Sequence, residues 1–413
     1  MKRRVVVTGI GTVNPSANNV QDTYNNLLAG KSAIDTITNF DVSDFTTKFA
    51  GQIKNFNPTD YLERKEIKRL DIYTIYALVA AQEAVKDALL VEGNYDPLKS
   101  GSILGSGIGG MFTFEQEAKK MFTKSPKRVS PHFIPKMISN AATAHIAIAH
   151  NLKGINFTCV SACASANHAM GTALRDIQFG HADIIVTGGT EAAVSPLSLA
   201  GFCSMKALST RNENPKTASR PFDIDRDGFV MGEGAGILVF EELEHAKKRG
   251  AKIHAEVIGF GASSDAFHIT APAEGGEGGA RAMKSALSDA DILPQDVDMF
   301  NAHGTSTPYN DKYETTAIKT VFGEHAKKLV INSTKSMIGH ALGAAAALEA
   351  IVCIKSIETG KIHPTINIFN QDPECDLNYV PNKAIEKEVN ICVSNSLGFG
   401  GHNGVMVFKR FEK

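Results

Sequence analysis

Three residues of the chain have the side chains and local context that nucleophilic catalysis requires. Cys163 lies in Ser161-Ala162-Cys163-Ala164-Ser165, where a short apolar strand is predicted to turn into a helix. His303 and His340 each follow a predicted buried strand, at the sheet edge where open α/β sheets bind their ligands. A cysteine nucleophile acts as its thiolate and needs a histidine nearby. The pattern indicates a Cys-His-His site.

Each of these residues also has a simpler explanation. A lone cysteine usually behaves as a small buried apolar residue. The chain has 13 histidines, His-Gly is a common turn, and a histidine at a helix start can serve as a cap. In favour of catalysis, a helix beginning at Cys163 would direct free N–H groups and a positive dipole end at the sulfur, which stabilises the thiolate. The local sequence alone leaves both interpretations open.

A glycine-rich loop near the C-terminus has the composition of a gate. In Gly398-Phe399-Gly400-Gly401, one large aromatic side chain is surrounded by glycines. Glycine hinges would let the ring move, and a backbone N–H of the loop could stabilise an oxyanion. The alternative is an ordinary glycine turn whose phenylalanine anchors it to the surface.

The overall composition limits the classes of function. The 413 residues contain 43 Lys and Arg against 44 Asp and Glu, a balance that argues against a nucleic-acid partner. Six scattered cysteines form no CxxC pair, which favours reduced thiols over disulfides or a zinc site. No apolar run reaches membrane-spanning length. We expect a cytoplasmic protein of a bacterium, or one of an organelle stroma or matrix if a leader was removed.

Predicted strands and helices alternate along the chain, which is typical of an α/β fold with a parallel sheet between helices. A break near residue 250 divides the chain into two similar βα halves, 1–250 and 251–413. In the first half, helices are predicted at 19–29, within 60–91, at 137–150 and at 197–206. In the second half, strands are predicted at 253–261, 297–301, 328–333, 391–395 and 404–409, and helices at 278–290, 311–321 and 341–359.

Seven motifs in this order resemble the β-ketoacyl-acyl-carrier-protein synthases, in particular the synthase II type of fatty acid synthesis. The resemblance covers essentially the whole chain and implies a thiolase-like fold: two similar halves in five α-β-α-β-α layers, assembled as a homodimer. The motifs are Ser161-Ala162-Cys163, Arg220-Pro221-Phe222-Asp223, Asp227-Gly228-Phe229-Val230-Met231-Gly232-Glu233-Gly234, Ser263-Ser264-Asp265-Ala266-Phe267-His268, His303-Gly304-Thr305-Ser306-Thr307, Lys335-Ser336-Met337-Ile338-Gly339-His340 and Gly398-Phe399-Gly400-Gly401.

The resemblance implies a ping-pong decarboxylative condensation. Cys163 would take an acyl group from an acyl carrier protein, and malonyl carrier protein would then lose CO₂ and attack the acyl-enzyme. The backbone N–H groups of Cys163 and Phe399 would form the oxyanion hole. His303 and His340 would donate hydrogen bonds to the malonyl thioester oxygen, and Lys335 would order the site electrostatically. With histidine at both positions, the Cys-His-His set of this chain resembles that of the elongating synthases. Synthase III relatives have Cys-His-Asn instead, and thiolases have Cys-His-Cys.

Further residues are assigned to binding by the same resemblance. Thr305 and Thr307 would contact the phosphopantetheine arm. Ile108, Phe133, Phe202 and Phe399 would line an acyl tunnel, with Phe133 reaching across the dimer, although each could equally be plain core. Carrier proteins are strongly acidic, so two basic runs and one further lysine become docking candidates. These are Arg64, Lys65, Lys68, Arg69, Lys124, Lys127, Arg128 and Lys206.

No cofactor is expected to be required for catalysis. A small structural cation, monovalent or divalent, is implied by a set of residues that resembles a family site: Asn301, Glu314, Glu349, Ser394 and Asn395.

Two departures from the family pattern bear on pocket shape and leave the preferred acyl length open. They are the segment Ala164-Ser165-Ala166-Asn167-His168 and Ile338, which stands where threonine is common. Three other functions stay open. They are a condensing enzyme of polyketide synthesis, a non-catalytic subunit that shapes a partner's tunnel, and a cysteine hydrolase. Relatives of the non-catalytic kind lack the cysteine that this chain has.

Overall fold

The computed structural model describes residues 2–412, and a ten-stranded mixed sheet forms their core. Four further short strands form two small ribbons outside it, β2 with β3 and β11 with β12. The strands are β1 Val5–Val13, β2 Asp35–Thr36, β3 Phe49–Ala50, β4 Ser100–Gly105, β5 Asn156–Cys159, β6 Ile184–Glu191, β7 Gly234–Glu242, β8 Ala255–Ser264, β9 Met299–Asn301, β10 Val330–Asn332, β11 Lys361–Ile362, β12 Ile385–Glu386, β13 Ile391–Gly398 and β14 His402–Lys409.

The sheet consists of two five-stranded halves with the same topology. The first has the order β1-β7-β6-β4-β5, in which β7 is antiparallel to both neighbours and β6, β4 and β5 are parallel. The second has the order β8-β14-β13-β9-β10 with the same pattern of directions. β1 and β8 join the halves in an antiparallel pairing over Val5–Val7. The domain boundary at 250 falls before β8 and stays a prediction.

Helices cover both faces of each half. They are α1 Val20–Leu28, α2 Arg64–Ile67, α3 Ile72–Asp87, α4 Met111–Thr123, α5 Phe133–Met137, α6 Ala141–Ala149, α7 Ser165–Gln178, α8 Pro196–Ser204, α9 Leu243–Lys248, α10 Glu277–Asp289, α11 Pro308–Phe322, α12 Lys335–Ile338 and α13 Ala345–Thr359. Among the helices of residues 2–412, none is both long enough and apolar enough to cross a membrane.

The helices and sheets stack in five layers. Helices α7 and α13 contact strands of both halves and lie between them, α3 contacts the outer face of the first half, and α10 contacts the outer face of the second. Helix α13 is buried on almost every face, as its apolar composition predicts. One apolar cluster joins α7, α13 and both halves of the sheet, so the two halves share a core. The predicted α-β-α-β-α arrangement is confirmed.

Two short turns of matching shape lead into the central helices α7 and α13. Each opens on a non-glycine residue with positive φ, Ala162 at 49° and Leu342 at 45°. Cys163 and Gly343 follow them and lie at the middle of their turns. Strained backbone of this kind concentrates at functional sites, where surrounding structure holds it in place. The two turns contact each other, so the topology brings the ends of both halves together at Cys163.

Two local predictions are wrong, and one helix is missing from the predicted set. The helix does not begin at Cys163, because a separate turn precedes α7, which starts at Ser165. The helical region 60–91 is interrupted between α2 and α3, where the Asp71 side chain caps α3 by accepting from the N–H of Tyr73. Helix α4, Met111–Thr123, lies in a segment for which the sequence pattern predicts no helix.

Candidate active site

Cys163, His303 and His340 meet at the centre of the molecule. The Nε2 of His340 lies 3.0 Å from the Sγ of Cys163. One nitrogen of each histidine and the sulfur all lie within 4.8 Å of one another, and the two imidazole rings are perpendicular with centroids 5.2 Å apart. All three side chains are buried. The structure therefore brings together the three residues that the sequence selected from different parts of the chain.

The backbone determines which nitrogen of His340 carries the hydrogen. The N–H of Leu342 donates to Nδ1 over 3.2 Å, so this nitrogen is an acceptor. Burial, with a further contribution from Lys335, holds the pKa of His340 well below its usual value, so the ring is neutral. A neutral ring that accepts at Nδ1 carries its hydrogen on Nε2. His340 therefore faces the sulfur as a hydrogen-bond donor, and its Nε2 has no lone pair free for a metal.

The sulfur is less acidic than the sequence suggested. Burial raises the pKa of Cys163 to about 11, although the charge of Lys335 and the N–H groups of Phe399 and of Cys163 itself lower it. The free N–H groups thus favour the thiolate as expected, but desolvation of the sulfur outweighs them and the net pKa of Cys163 is raised. Both N–H groups proposed for the oxyanion hole do reach the sulfur.

His303 is held in place through its backbone. The carboxylate of Glu314 accepts hydrogen bonds from the N–H of His303 over 2.7 Å and from that of Gly304 over 2.8 Å. Glu314 in turn accepts from the side-chain amide of Asn395 over 2.8 Å. Burial, then the charges of Lys335 and His340, holds the pKa of His303 well below its usual value. Both histidines are therefore neutral at physiological pH and able to donate a hydrogen bond.

Lys335 is a fully buried cation with one partner. Its Nζ donates to the Oε1 of Glu349 over 2.5 Å. Burial raises the pKa of Glu349 to about 7, and the charge of Lys335 acts against that shift. The ammonium lowers the pKa of Cys163 and of both histidines. Lys335 can therefore influence all three residues electrostatically.

Models of one family match most of the chain. The model of the beta-ketoacyl synthase N-terminal domain matches residues 2–246, and that of the beta-ketoacyl synthase C-terminal domain matches residues 254–369. The chain belongs to the β-ketoacyl synthase family. The resemblance seen in the motifs is thereby confirmed, and so is the activity class of an acyl-transferring condensing enzyme.

Two curated relatives match this synthase over its full length. The 3-oxoacyl-(acyl-carrier-protein) synthase 2 of Staphylococcus aureus (strain N315) is 51% identical over 410 residues, which is 99% of each chain. The protein of the same name from Synechocystis sp. (strain ATCC 27184 / PCC 6803 / Kazusa) is 48% identical over 411 residues, covering 100% of this chain and 99% of the relative.

Two solved structures share the fold of the synthase over the whole length of both chains. A beta-ketoacyl synthase from Burkholderia phymatum STM815 has a TM-score of 0.93 at 34% identity. A ketosynthase solved in complex with its type II polyketide synthase acyl-carrier protein has a TM-score of 0.93 at 35% identity. The predicted thiolase-like fold is confirmed by these neighbours.

The acyl-tunnel candidates of the synthase divide into two groups. Ile108 and Phe202 pack against the apolar cluster that contains Cys163. Phe399 is half-buried, and its N–H reaches the sulfur. Phe133 is half-buried at the start of α5 and belongs to none of the apolar clusters of residues 2–412. The described chain alone therefore does not bring Phe133 to the tunnel.

The loop after His303 presents two threonines. Thr305 is buried and Thr307 is half-buried, and their hydroxyl oxygens lie 2.9 Å apart. The N–H of Thr305 donates to the carboxylate of Asp311 in α11, which fixes the loop to that helix. Two adjacent hydroxyls on a fixed loop suit a polar ligand arm.

The gate loop, residues 398–401, is tied to a second loop. The N–H of Gly400 donates to the carbonyl of Ile269, and the N–H of Asp265 donates to the carbonyl of Gly401. The side-chain amide of Asn403 donates to the carboxylate of Asp265 over 2.7 Å. Asp265 belongs to one of the sequence motifs, whereas no sequence pattern singles out Asn403. Their pairing depends on a contact between distant segments, which no local pattern reveals.

The cation candidates meet a test of fit. Four of the five have a buried side-chain oxygen without a hydrogen-bond partner: Asn301 Oδ1, Glu349 Oε2, Ser394 Oγ and Asn395 Oδ1. The fifth, Glu314, is a fully buried carboxylate whose charge raises the pKa of Glu349 further, after burial. Unpaired buried oxygens are costly, and hard cations prefer oxygen ligands. The residues present fit such an ion.

The docking candidates are all exposed. No carboxylate of residues 2–412 lies within salt-bridge distance of any of the eight: Arg64, Lys65, Lys68, Arg69, Lys124, Lys127, Arg128 and Lys206. Asp71, just after α2, accepts from the N–H of Thr113 over 2.8 Å, which ties the end of the first basic segment to the first turn of α4, the helix that leads to the second. We call these eight residues the basic patch.

Proposed function

We propose that this protein is a 3-oxoacyl-acyl-carrier-protein synthase of the synthase II type, which extends fatty acyl chains. Its reaction is the decarboxylative Claisen condensation of an acyl group held on Cys163 with malonyl-acyl carrier protein, and the products are 3-oxoacyl-acyl carrier protein and CO₂. The observation that carries the proposal is the meeting of one cysteine sulfur with two neutral histidines, one of them fixed as a donor.

In the first half-reaction, the sulfur of Cys163 attacks the thioester of an acyl carrier protein. The carbonyl oxygen gains negative charge, and the N–H groups of Cys163 and Phe399 are the donors we assign to it. The positive charge of Lys335 favours the thiolate over the thiol. The carrier thiol leaves with the proton that the sulfur loses, and the acyl chain enters the apolar cluster with Ile108 and Phe202.

In the second half-reaction, the malonyl thioester loses CO₂ and its oxygen gains enolate character. We assign His303 and His340 as the two donors to this oxygen, because both rings are neutral. The carbanion attacks the acyl carbonyl and displaces the sulfur of Cys163. The oxyanion donors act again in this step. Thr305 and Thr307 would hold the phosphopantetheine arm during both half-reactions.

Acyl carrier protein is the proposed macromolecular partner. One structural relative at 35% identity is a ketosynthase in complex with such a carrier. The basic patch offers eight exposed cations that no carboxylate of residues 2–412 neutralises. Unpaired surface charge of one sign attracts a partner of the other sign and orients it during encounter. The cytoplasm is the proposed location, since the relatives compared above are bacterial.

We further propose a homodimer formed through strand β5. This strand is one of the two edge strands of the sheet and exposes Phe157; Val160, directly after it, and Ile148 of the neighbouring α6 are exposed as well. An apolar edge strand readily pairs with another strand. A dimer would also place Phe133 near a second copy. Replacing Phe157 and Val160 by aspartate should give a monomer in sedimentation equilibrium, and an unchanged mass would contradict the proposal.

A structural cation at Asn301, Glu314, Glu349, Ser394 and Asn395 completes the proposal. When bound, such an ion would neutralise the two buried carboxylates. The residues themselves then act on catalysis through position, since Glu314 holds the loop of His303 and Glu349 holds Lys335.

Mass spectrometry of the intact protein tests the proposed function. After incubation with an acyl-acyl carrier protein, the mass should rise by one acyl group on Cys163, and Cys163→Ala should show no adduct. Addition of malonyl-acyl carrier protein should then release the acyl group as a 3-oxoacyl product. An adduct on another residue, or hydrolysis without a new carbon–carbon bond, would contradict the proposal. Aromatic polyketide starter units serve as the comparison substrate.

A further inference from the structure

A buried glutamate outside the Cys-His-His site connects the two halves of the molecule. Glu191 is the last residue of β6 and is inaccessible to solvent. Its carboxylate accepts four hydrogen bonds. Three come from the loop after β4: the Ser106 hydroxyl at 3.2 Å and the N–H groups of Gly107 at 2.6 Å and Ile108 at 3.2 Å. The fourth comes from the N–H of Gly343 in the other half, at 3.0 Å.

Both donor segments carry residues of the proposed mechanism. Ile108 packs against the apolar cluster of Cys163, where the acyl chain is proposed to enter. Gly343 follows His340 by three residues and opens the approach to α13. A Cβ atom would lie 2.8 Å from the Oε2 of Glu191 if placed at Gly107, and 2.6 Å from it if placed at Gly343. The close approach of carboxylate and backbone therefore requires glycine at both positions.

The position of Gly343 corresponds to that of the nucleophile. Cys163 and Gly343 are the middle residues of the two matching turns, each preceded by a residue with positive φ. In the first half, the N–H of the turn reaches the sulfur. In the second half, the N–H of the turn is bound by Glu191. Glu191 thus occupies the place where the second half would otherwise present a free anion-binding N–H group.

The charge of Glu191 also acts on the sulfur. Burial is the main cause of the raised pKa of Cys163, and the negative charge of Glu191 raises it further. The other ionisable groups around the sulfur are Lys335, His303 and His340. Burial raises the pKa of Glu191 itself to about 7, against the effect of its four hydrogen bonds. No cation of residues 2–412 forms a salt bridge with it.

We propose that Glu191 is a positioning residue of the condensation. It holds the pocket wall at Ile108 against the segment of His340, so that the acyl chain stays in a fixed position relative to the histidine that donates to the malonyl thioester. The inference rests on the proposed function. A loosened wall displaces the acyl carbonyl relative to His340, and small displacements at a reacting centre cost rate rather than binding. The effect should grow with acyl length, because a longer chain depends more on the wall.

The substitution Glu191→Gln tests this proposal, since it keeps the shape and removes the charge. An amide nitrogen would face one or more of the four donors, so the loop and the turn should separate. We expect kcat for condensation to fall about 10- to 100-fold, with KM for malonyl carrier protein unchanged within about twofold. The loss should be larger for long than for short acyl groups.

A second readout does not depend on condensation. The rate at which iodoacetamide alkylates Cys163 is measured against pH, and its profile should shift to lower pH in Glu191→Gln, because a negative charge near the sulfur is removed. The matched control is Glu233→Gln. Glu233 is equally buried, but it accepts only from the N–H of Ile53 and the hydroxyl of Tyr76, and it should leave the profile in place.

Glu191→Asp covers the case in which the glutamine variant does not fold. Aspartate keeps the charge but is one methylene shorter, so condensation should fall while the alkylation profile stays that of the wild type. A condensation rate and acyl-length dependence within twofold of wild type in either folded variant would overturn the proposal. A shifted alkylation profile in a protein that never condenses malonyl would instead refute the proposed function and leave the charge effect of Glu191 standing.

Discussion

The Nε2 of His340 lies 3.0 Å from the sulfur of Cys163, while the opposite ring nitrogen accepts a hydrogen bond from the backbone. This arrangement separates the site from that of a cysteine hydrolase, in which the histidine takes the proton of the thiol. A ring fixed as a donor instead stabilises negative charge, whether on the sulfur or on a substrate oxygen. The chemistry suited to such a site is the stabilisation of an enolate.

Removal of this donor should harm condensation more than acylation. In His340→Ala, we expect kcat for condensation to fall about 10²- to 10³-fold, the usual effect of losing one donor to a developing oxyanion. Mass spectrometry should still detect the acyl adduct on Cys163. His181→Ala is the control, because His181 is exposed and its Nδ1 lies 3.0 Å from the carboxylate of Asp176. Equal loss of acylation and condensation would show that His340 acts as the base.

Alkylation of Cys163 should depend steeply on pH. Since burial raises the pKa of Cys163 to about 11, the thiolate fraction is small at neutral pH and increases with pH up to that value. The rate of inactivation by iodoacetamide should rise about tenfold per pH unit between pH 7 and 9. In Lys335→Met the rates should be lower at every pH, because a cation that favours the thiolate is removed. A plateau below pH 8 in the wild type would contradict the prediction.

His254 should make stability depend on pH. Its Nδ1 lies 2.6 Å from Glu358 and its Nε2 lies 2.7 Å from Asp87, so His254, the residue before β8, is joined to the ends of α13 and α3. Burial lowers its pKa, but the two carboxylates outweigh burial and the net pKa is raised. The resulting stabilisation is fully present below the unfolded pKa of about 6.5 and is lost as pH rises through the folded pKa.

Urea unfolding of His254→Gln measures this effect. The variant should lose roughly 2 kcal/mol relative to wild type at pH 5.5 to 6, a typical value for a hydrogen bond to a charged group. The loss should be smaller at pH 9, where the wild-type imidazole is neutral. A difference between variant and wild type that stays constant from pH 6 to 9 would mean that His254 acts only through packing.

Charge reversal in the basic patch should weaken carrier binding. In the double variant Lys65→Glu and Arg69→Glu, we expect KM for carrier-bound substrates to rise about tenfold, since two favourable charges become unfavourable. Small thioesters without a carrier should react at the wild-type rate. The matched control reverses Lys247 and Lys248 on α9, outside the patch. Equal loss with both kinds of substrate would show that the variant damages the site itself.

Ions should stabilise the protein if the proposed cation site is real. The melting temperature should be higher in potassium, sodium or magnesium chloride than in tetramethylammonium chloride at equal ionic strength, because binding to the folded state alone stabilises it. Glu349→Gln should reduce the difference between the salts. Melting temperatures that are the same in all four salts would remove the cation from the proposal.

The sequence was sufficient where function depends on short motifs. Strand ends predicted from apolar runs located His303 and His340, and small residues marked the turn of Cys163. Two features of the site could not be predicted, because they depend on contacts between segments that are distant in the sequence. The acidity of Cys163 follows from burial by both halves, and the role of Glu191 follows from donors more than 80 residues before it and 150 after it. The one local signal was a carboxylate at the end of a buried strand that contains two glycines.

The matching turns suit an origin of the two halves by duplication of one βα unit. Two βα units of the same strand order, each with a strained turn before its central helix, are what duplication of one unit would leave behind. After duplication the copies could diverge, since a single nucleophilic sulfur is enough for the proposed reaction. One copy has cysteine at the middle of its turn and the other has glycine, whose N–H group serves Glu191. In the proposed reaction the two halves therefore have different roles: the first supplies the nucleophile Cys163, and the second supplies the donors His303 and His340.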